Sequence, residues 1–279
     1  MIRTRFAPSP TGFLHLGHAF SALCARHAGT GYLLRIDDID HTRCRPHFTD
    51  AIYDDLTWLG LDWQGDPIRQ SDRLDAYEAA LDQLRAADLL YPCFLTRAEI
   101  TEILSAPHSD PAKPSTSAPR TFDALSPAEC ARRIDAGQLP AWRLHADKAM
   151  ASAGPLTWHD AADQSDIPVS MRDFGDVVLG RKDIGTSYHL SVVVDDSMDE
   201  ITLVTRGADL TTSTHVHRLL QQLLGLPTPR YWHHALIADK DGKRLAKRDQ
   251  ARAVRQFRDE GYAPADLFAL MPELIDLPR

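Results

Sequence analysis

The chain has 279 residues, 43% of them hydrophobic and 25% charged, a globular composition that excludes a wholly disordered polypeptide. Its net charge of −8, from 31 Lys and Arg against 39 Asp and Glu, argues against coating nucleic acid through bulk charge and leaves only a local basic patch for that purpose. The length sets an expectation of roughly two domains.

The opening residues, MIRTRFAPSP, lack the apolar stretch of a signal peptide. No window holds the roughly 18 unbroken apolar residues of a membrane span. Cys24, Cys44, Cys93 and Cys130 are scattered without a CxxC pair, which reads as reduced thiols rather than a disulfide scaffold. The expectation is a cytoplasmic monomer without membrane association.

In chain order, residues 2–6 read as a short strand. A Pro- and Gly-rich loop, APSPTGFLHLGH, leads into AFSALCARHAG, where Phe20, Leu23 and Cys24 recur at helical spacing until Gly29 ends the run. YLLRID is a continuous apolar run and reads as a buried parallel strand. Strand, loop, helix and strand form a βαβ unit, which predicts an α/β fold with a parallel sheet. From Ser71 the pattern turns helical: Leu74, Tyr77, Leu81 and Leu84 mark one face, and Ser71 or Asp72 is placed to cap the start. The stretch SAPHSDPAKPSTSAPR, with four prolines, reads as a mobile loop near 105–120. Around it lies an inserted smaller domain, 66–168.

DVVLG, YHLSVVVDD and ITLVTRG read as strands, and Asp195–Asp196 as caps of a strand end or turn. A helix follows with Val216, Leu219, Leu220, Leu223 and Leu224 on its apolar face, stopped by Gly225 and Pro227. A charged loop, DKDGKRLAKRDQ, precedes one or two helices in a terminal segment, 251–279. WLGLDW reads as packing at the edge of the cleft, and His215, His217, His233 and His234 show no metal spacing. Some of these histidines are candidates to line an RNA surface.

The first loop carries the chemistry. His15 and His18 lie three apart at a helix start and share a face. Gly17 is suited to close approach of a ligand to the backbone. A helix N-terminus offers unpaired N–H groups and partial positive charge to phosphate, although two histidines alone also fit a structural reading. The late loop places Lys240, Lys243, Arg244, Lys247 and Arg248 close together. It reads as a solvated basic loop on its own, and as a clamp on developing phosphate charge when set opposite the helix start.

RFAPSPTGFLHLGH, RIDDID, YHLSVVVDD, VTRG and KRLAKR occur in the order and spacing of the glutamyl class of class I aminoacyl-tRNA synthetases. HLGH resembles their HIGH signature and RLAKR their KMSKS signature. The resemblance implies a Rossmann-type parallel-sheet catalytic domain at 1–65 and 169–250 with an inserted acceptor-stem-like α+β domain. It further implies ATP and Mg2+ as substrate complex, with His15, His18 and Lys247 catalytic and His15, Gly17, His18 and Lys247 on ATP. Its glutamate pocket maps onto Arg5, Ser9, Asp37, Tyr188 and Arg206: the arginines for carboxylates, Asp37 for the ammonium, Ser9 and Tyr188 for orientation. Unaided by the resemblance, Arg5 or Arg35 would equally pair with Asp37 or Asp38, and Tyr188 would be a core aromatic.

Two departures stand out. Asp37 occupies a position that is usually Glu, and Ala246 the serine position of the second signature. RGADL, together with the short stretch after Arg248, resembles the branch that activates L-glutamate and attaches it to the queuosine base of tRNA(Asp) rather than to a tRNA 3′ end. Many members of that branch hold zinc through a CxC pair, a Tyr and a Cys. Here Cys93 alone remains, with Leu95, Phe122 and Ser126 at the other positions, so no structural zinc is expected, and one thiolate cannot close a four-ligand site. Arg218, Arg230 and the 243–248 region are the candidate RNA patch. The alternatives are an enzyme charging a tRNA 3′ end, a non-catalytic tRNA-binding relative, and a small nucleotidyltransferase with another acceptor.

Overall fold

The computed structural model describes residues 1–96, 98–100, 125–237 and 252–275. The expected mobile loop near 105–120 and the second signature with Lys247 and Ala246 lie outside them. Strand β1 (Arg3–Phe6) leads through the HLGH loop to helix α1 (Leu16–Ala28) and on to β2 (Gly31–Ile36). β2 pairs parallel to β1, so the expected βαβ unit is present. Helix α2 (Pro46–Trp58) and β3 (Ile68–Arg69) complete this half, with β3 parallel to β2. A 3-10 turn at Gln70–Arg73 precedes α3 (Leu74–Ala86).

Strand β4 (Leu90–Cys93), helix α4 (Pro127–Asp135), β5 (Ala141–Leu144) and α5 (Ala146–Ala153) follow. Next come β6 (Thr157–Asp160), β7 (Ser165–Pro168) and β8 (Val178–Gly180). Then α6 (Tyr188–Met198), β9 (Leu203–Gly207), α7 (Ser213–Leu224) and β10 (Arg230–His234) return to the first half. The short helices α8 (Val254–Asp259) and α9 (Pro264–Phe268) fulfil the expectation for the terminal segment. Gly225 ends α7 at φ 67°, the left-handed cap expected of it.

Strands β1, β2 and β3 form one parallel group and β9, β10 and β6 another, with β7 antiparallel on β6 at its edge. They meet where the Thr202 N–H donates to the Arg3 carbonyl at 3.0 Å. Strand order therefore reverses between β1 and β9, and in open α/β sheets the crevice at such a reversal, beyond the carboxyl ends of the strands, is where ligands bind. A separate antiparallel sheet joins β4, β5 and β8.

Three expectations are corrected. YHLSVVVDD is helix α6, not a strand; Leu190 through Asp196 are all buried, and a helix enclosed on all sides shows no amphipathic period while its valines imitate a strand. Ser71 does not cap α3: its N–H and hydroxyl donate to Asp38 at 2.9 and 3.0 Å, and Leu74 is exposed. Sheet pairing crosses the boundary at 168, with β6 on β10 and β5 on β8. Leu81, Leu144, Leu179, Val193 and Leu220 share one core across that boundary. Trp58 and Trp63 pack against the core under β1 and β2 and line no part of the cavity described below.

That core also buries Asp55 of α2, at 0% exposure, with both carboxylate oxygens lacking a hydrogen-bond partner among the described residues. The nearest cation is Arg258 of α8, at 3.8 Å. Burial pushes the carboxyl up to about 6. A folded-state pKa above the unfolded value contributes stability that is lost as pH rises through about 6. Asp55→Asn is therefore expected to raise Tm at about pH 8 by roughly 2–4 °C, the equivalent of about 1 kcal/mol. The gain should fade toward about pH 4.5. A melting curve at the higher pH that is unchanged or lowered would contradict this.

Candidate active site

A cavity of about 490 Å³ opens at the carboxyl ends of β1, β2 and β9, lined among others by Arg5, Ser9, Asp37, Tyr188 and Arg206. A smaller one of about 150 Å³, lined by His15, Gly17 and His18, adjoins it. His18, Ser21 and Gly207 line both. The candidate pocket residues for an acidic substrate and those for phosphate thus line two adjoining cavities that share a wall. Lys247 lies outside the described residues.

His15 is the N-cap of α1. Its Nδ1 accepts from the Gly17 N–H at 3.1 Å, and the Nδ1 of His18 accepts from the His15 N–H at 3.3 Å. The rings stack with centroids 3.8 Å apart. A backbone N–H can only donate, so each neutral ring carries its proton on Nε2. The structural and functional readings of the pair are therefore one: capping fixes the tautomer that presents a donor. Gly17 lines the smaller cavity, and a Cβ there would also meet the His15 ring at 3.0–3.2 Å. Gly17→Ala should displace that imidazole and raise KM for ATP about tenfold, a loss of about 1.4 kcal/mol, with KM for the amino acid little changed. Equal shifts in both constants would contradict it.

The arginines differ in how they are held. Arg5 donates Nε and Nη2 to the two oxygens of Asp196 at 2.8 and 3.1 Å and Nη1 to the Thr205 carbonyl. Its charge is already matched, which is the pairing the bare residues suggested, with Asp196 rather than Asp37 as partner. Arg35, wholly buried, donates to Asp37 and to Asp196 at 2.7 Å each. Asp195 accepts from Gln70, Arg73 and the Tyr77 hydroxyl. Asp195 and Asp196 thus anchor a buried ion network from within α6 and cap no strand. Burial opposes the charge of Arg35, yet Asp37, Asp196 and Asp195 together hold its pKa well above the usual value. Burial pushes Asp37 up to about 6 despite Arg35. Against the same burial, Arg5 and Arg35 hold Asp196 below the ordinary range.

Arg206 is 5% exposed and has no carboxylate partner among the described residues. Its donors go to His233 Nε2 at 3.3 Å, His217 Nδ1 at 2.9 Å and the Thr214 hydroxyl at 2.5 Å. Burial and the adjacent guanidinium push His217 well below its usual pKa and His233 to about 3. Tyr188 is 39% exposed, so it faces the cavity as a wall and is not a core aromatic. Of the histidines set aside in the sequence, His217 and His233 hold Arg206, while His234 accepts from Ser21 beside the smaller cavity. His215 accepts from the Ser170 N–H outside the crevice.

Among the described residues, the positions compared for zinc supply a single thiolate, Cys93. Ser126 is occupied as the cap of α4, accepting from the Glu129 N–H at 3.2 Å, and Cys93 is buried beside Phe94. Leu95 brings no donor atom, and Phe122 lies outside the described residues. No group of three His, Cys, Asp or Glu suited to a metal occurs among the described residues.

The family profile described as tRNA synthetases class I (E and Q), catalytic domain, matches residues 1–274. A glutamyl-Q tRNA(Asp) synthetase of Rhodobacter capsulatus is 47% identical, over 96% of this chain and 99% of that protein. One from Nocardia farcinica is 41% identical, over 98% and 85%. The crystal structure of a glutamate tRNA ligase from Elizabethkingia meningosepticum in complex with its amino acid superposes with a TM-score of 0.75 at 27% identity, over 94% of this chain. The chain spans 58% of the length of that ligase. A reversal-point crevice carrying HLGH, together with this match, defines a class I aminoacyl-tRNA synthetase catalytic domain of the glutamyl and glutaminyl class. Within that class the chain belongs to the glutamyl-Q tRNA(Asp) synthetase family.

Proposed function

We propose that this protein activates L-glutamate with ATP and passes the glutamyl group to the queuosine base in the anticodon loop of tRNA(Asp). The observation that carries the substrate assignment is Arg206, a buried cation at the cavity wall whose partners among the described residues are all neutral. Desolvating such a charge costs several kcal/mol unless an anion arrives to match it, and the side-chain carboxylate of glutamate supplies one. Arg5 contributes donors beyond the three it spends on Asp196 and Thr205, since a guanidinium has five. Asp37 takes the ammonium, and Ser9 and Tyr188 orient the amino acid.

The glutamate α-carboxylate attacks the α-phosphorus of MgATP and pyrophosphate leaves. His15 and His18 donate from Nε2 to the phosphates, and Lys247 supplies charge from the late loop. A hydroxyl of the queuosine ring then attacks the mixed anhydride and AMP leaves. The magnesium enters with ATP, held on phosphate oxygens. Residues 1–65 and 169–250 serve catalysis and the intervening region serves the acceptor, with Arg218, Arg230 and the 243–248 stretch on the RNA side.

The test is glutamate-dependent exchange of pyrophosphate into ATP, followed by transfer of labelled glutamate to tRNA(Asp) with and without queuosine. A queuosine-containing tRNA(Asp) lacking its terminal adenosine should still accept. Acceptance only by tRNA with an intact 3′ end would instead identify a tRNA-charging enzyme, and tRNA binding without exchange a non-catalytic relative.

A further inference from the structure

Arg206 can only donate hydrogen bonds, and this propagates outward. His217 Nδ1 accepts from it at 2.9 Å, so His217 carries its proton on Nε2 and donates that to His189 Nδ1 at 3.2 Å. On the other side His233 Nε2 receives the Arg206 Nε–H at 3.3 Å and lies 2.9 Å from the Thr214 hydroxyl. That hydroxyl oxygen accepts from Arg206, so its proton points to His233 Nε2. His233 must therefore bear its own proton on Nδ1, a buried atom without a hydrogen-bond partner among the described residues. Protonating either imidazole would set a donor against a donor. Both rings are locked neutral, and the guanidinium keeps its whole charge.

We propose that His217 and His233, with Thr214, are positioning residues that select a carboxylate over a carboxamide by holding Arg206 rigidly through neutral acceptors. The contrast is internal to the site. Arg5, Arg35 and Arg73 are each tied to carboxylates, whereas Arg206 is held as firmly without being neutralised. Glutamine offers this cation a dipole, glutamate a charge. A carboxylate installed in the cage would satisfy Arg206 internally and remove the distinction. The inference rests on reading the larger cavity as the glutamate pocket.

The test compares two near-isosteric replacements. In His217→Asn the amide oxygen can reproduce the Nδ1 acceptor, and in His217→Asp a charged oxygen stands there. Glutamate-dependent pyrophosphate exchange should show KM for glutamate in His217→Asp at least about 30-fold above that of His217→Asn, with KM for ATP in the two within about threefold. The preference for glutamate over glutamine should shrink in the Asp variant and be partly rescued in the Asn variant. Equal glutamate KM and equal preference in the two variants would overturn the proposal. If His217→Asp does not fold, His233→Gln against His233→Glu asks the same question through Nε2. Absence of any glutamate-dependent exchange by the unaltered protein would instead refute the pocket assignment itself.

Discussion

Arg206→Gln is expected to lower kcat/KM for glutamate by about a thousandfold, a loss of about 4 kcal/mol, while leaving the melting temperature close to that of the parent. The two halves of this expectation share a cause. Removing one member of a buried charged pair costs about 2–5 kcal/mol, much of it the penalty of leaving the other charge unmatched. Among the described residues no such pair exists at Arg206 in the free protein, because His217, His233 and Thr214 are neutral. Its charge is desolvated without a counter-ion, so deleting it relieves a burial cost. The glutamine amide preserves a donor for the acceptors left behind. In the complex the substrate carboxylate would then meet no full charge. Exchange kinetics with glutamate titrated at saturating ATP, alongside thermal melts, measure both. KM for glutamate within about threefold of the parent, or a fall in Tm of more than roughly 5 °C, would contradict the account.

How much of this was legible in the sequence depends on how local each signal is. The HLGH loop, α1 and the parallel β2 could be read because a capping residue, a small-residue helix face and a continuous apolar strand are properties of neighbouring residues. Arg5 and Arg206 were found through motif order, and the structure brings them to one cavity wall. Their inequality could not be read. Asp196, which engages Arg5, sits in a helix whose run of valines imitates a strand. The cage of Arg206 is drawn from α7 and β10, with His189 of α6 behind it, and only the topology brings those segments together. Four scattered histidines carry no spacing signal. A clue was available all the same: each falls within about 30 residues of Arg206 beside apolar runs, where an unpaired imidazole is seldom buried without a partner. A second demand on Gly17, room for the His15 ring, was not legible either, since it depends on where that ring folds back.

The largest stability effect should come from Arg35→Met. Arg35 is fully buried, bonds Asp37 and Asp196 at 2.7 Å, and lies 3.5 Å from Asp195 and 4.0 Å from Asp199. Without it, four carboxylates would share only Arg5 and Arg73. Exchanging a whole buried ion network for apolar groups is often neutral, but removing one member costs about 3–5 kcal/mol, a large part of a total near 5–15 kcal/mol. A drop in Tm of roughly 10 °C at about pH 8 is expected. Asp37, already pushed up to about 6 by burial with Arg35 in place, should rise further once that cation is gone. A raised folded-state pKa means stability lost with increasing pH, so the variant should recover part of its deficit on going from about pH 8 to about pH 5.5, where the unaltered protein gains less. Asp37→Asn in the Arg35→Met background should recover a similar part at the higher pH, since the carboxylate it removes is the one whose hydrogen bonds come from Arg35 alone. Melting curves of the single and double variants at both pH values decide it. If Arg35→Met melts with the parent at about pH 8, the network contributes no net stability, and these carboxylates must be held neutral by a means other than the arginine among them.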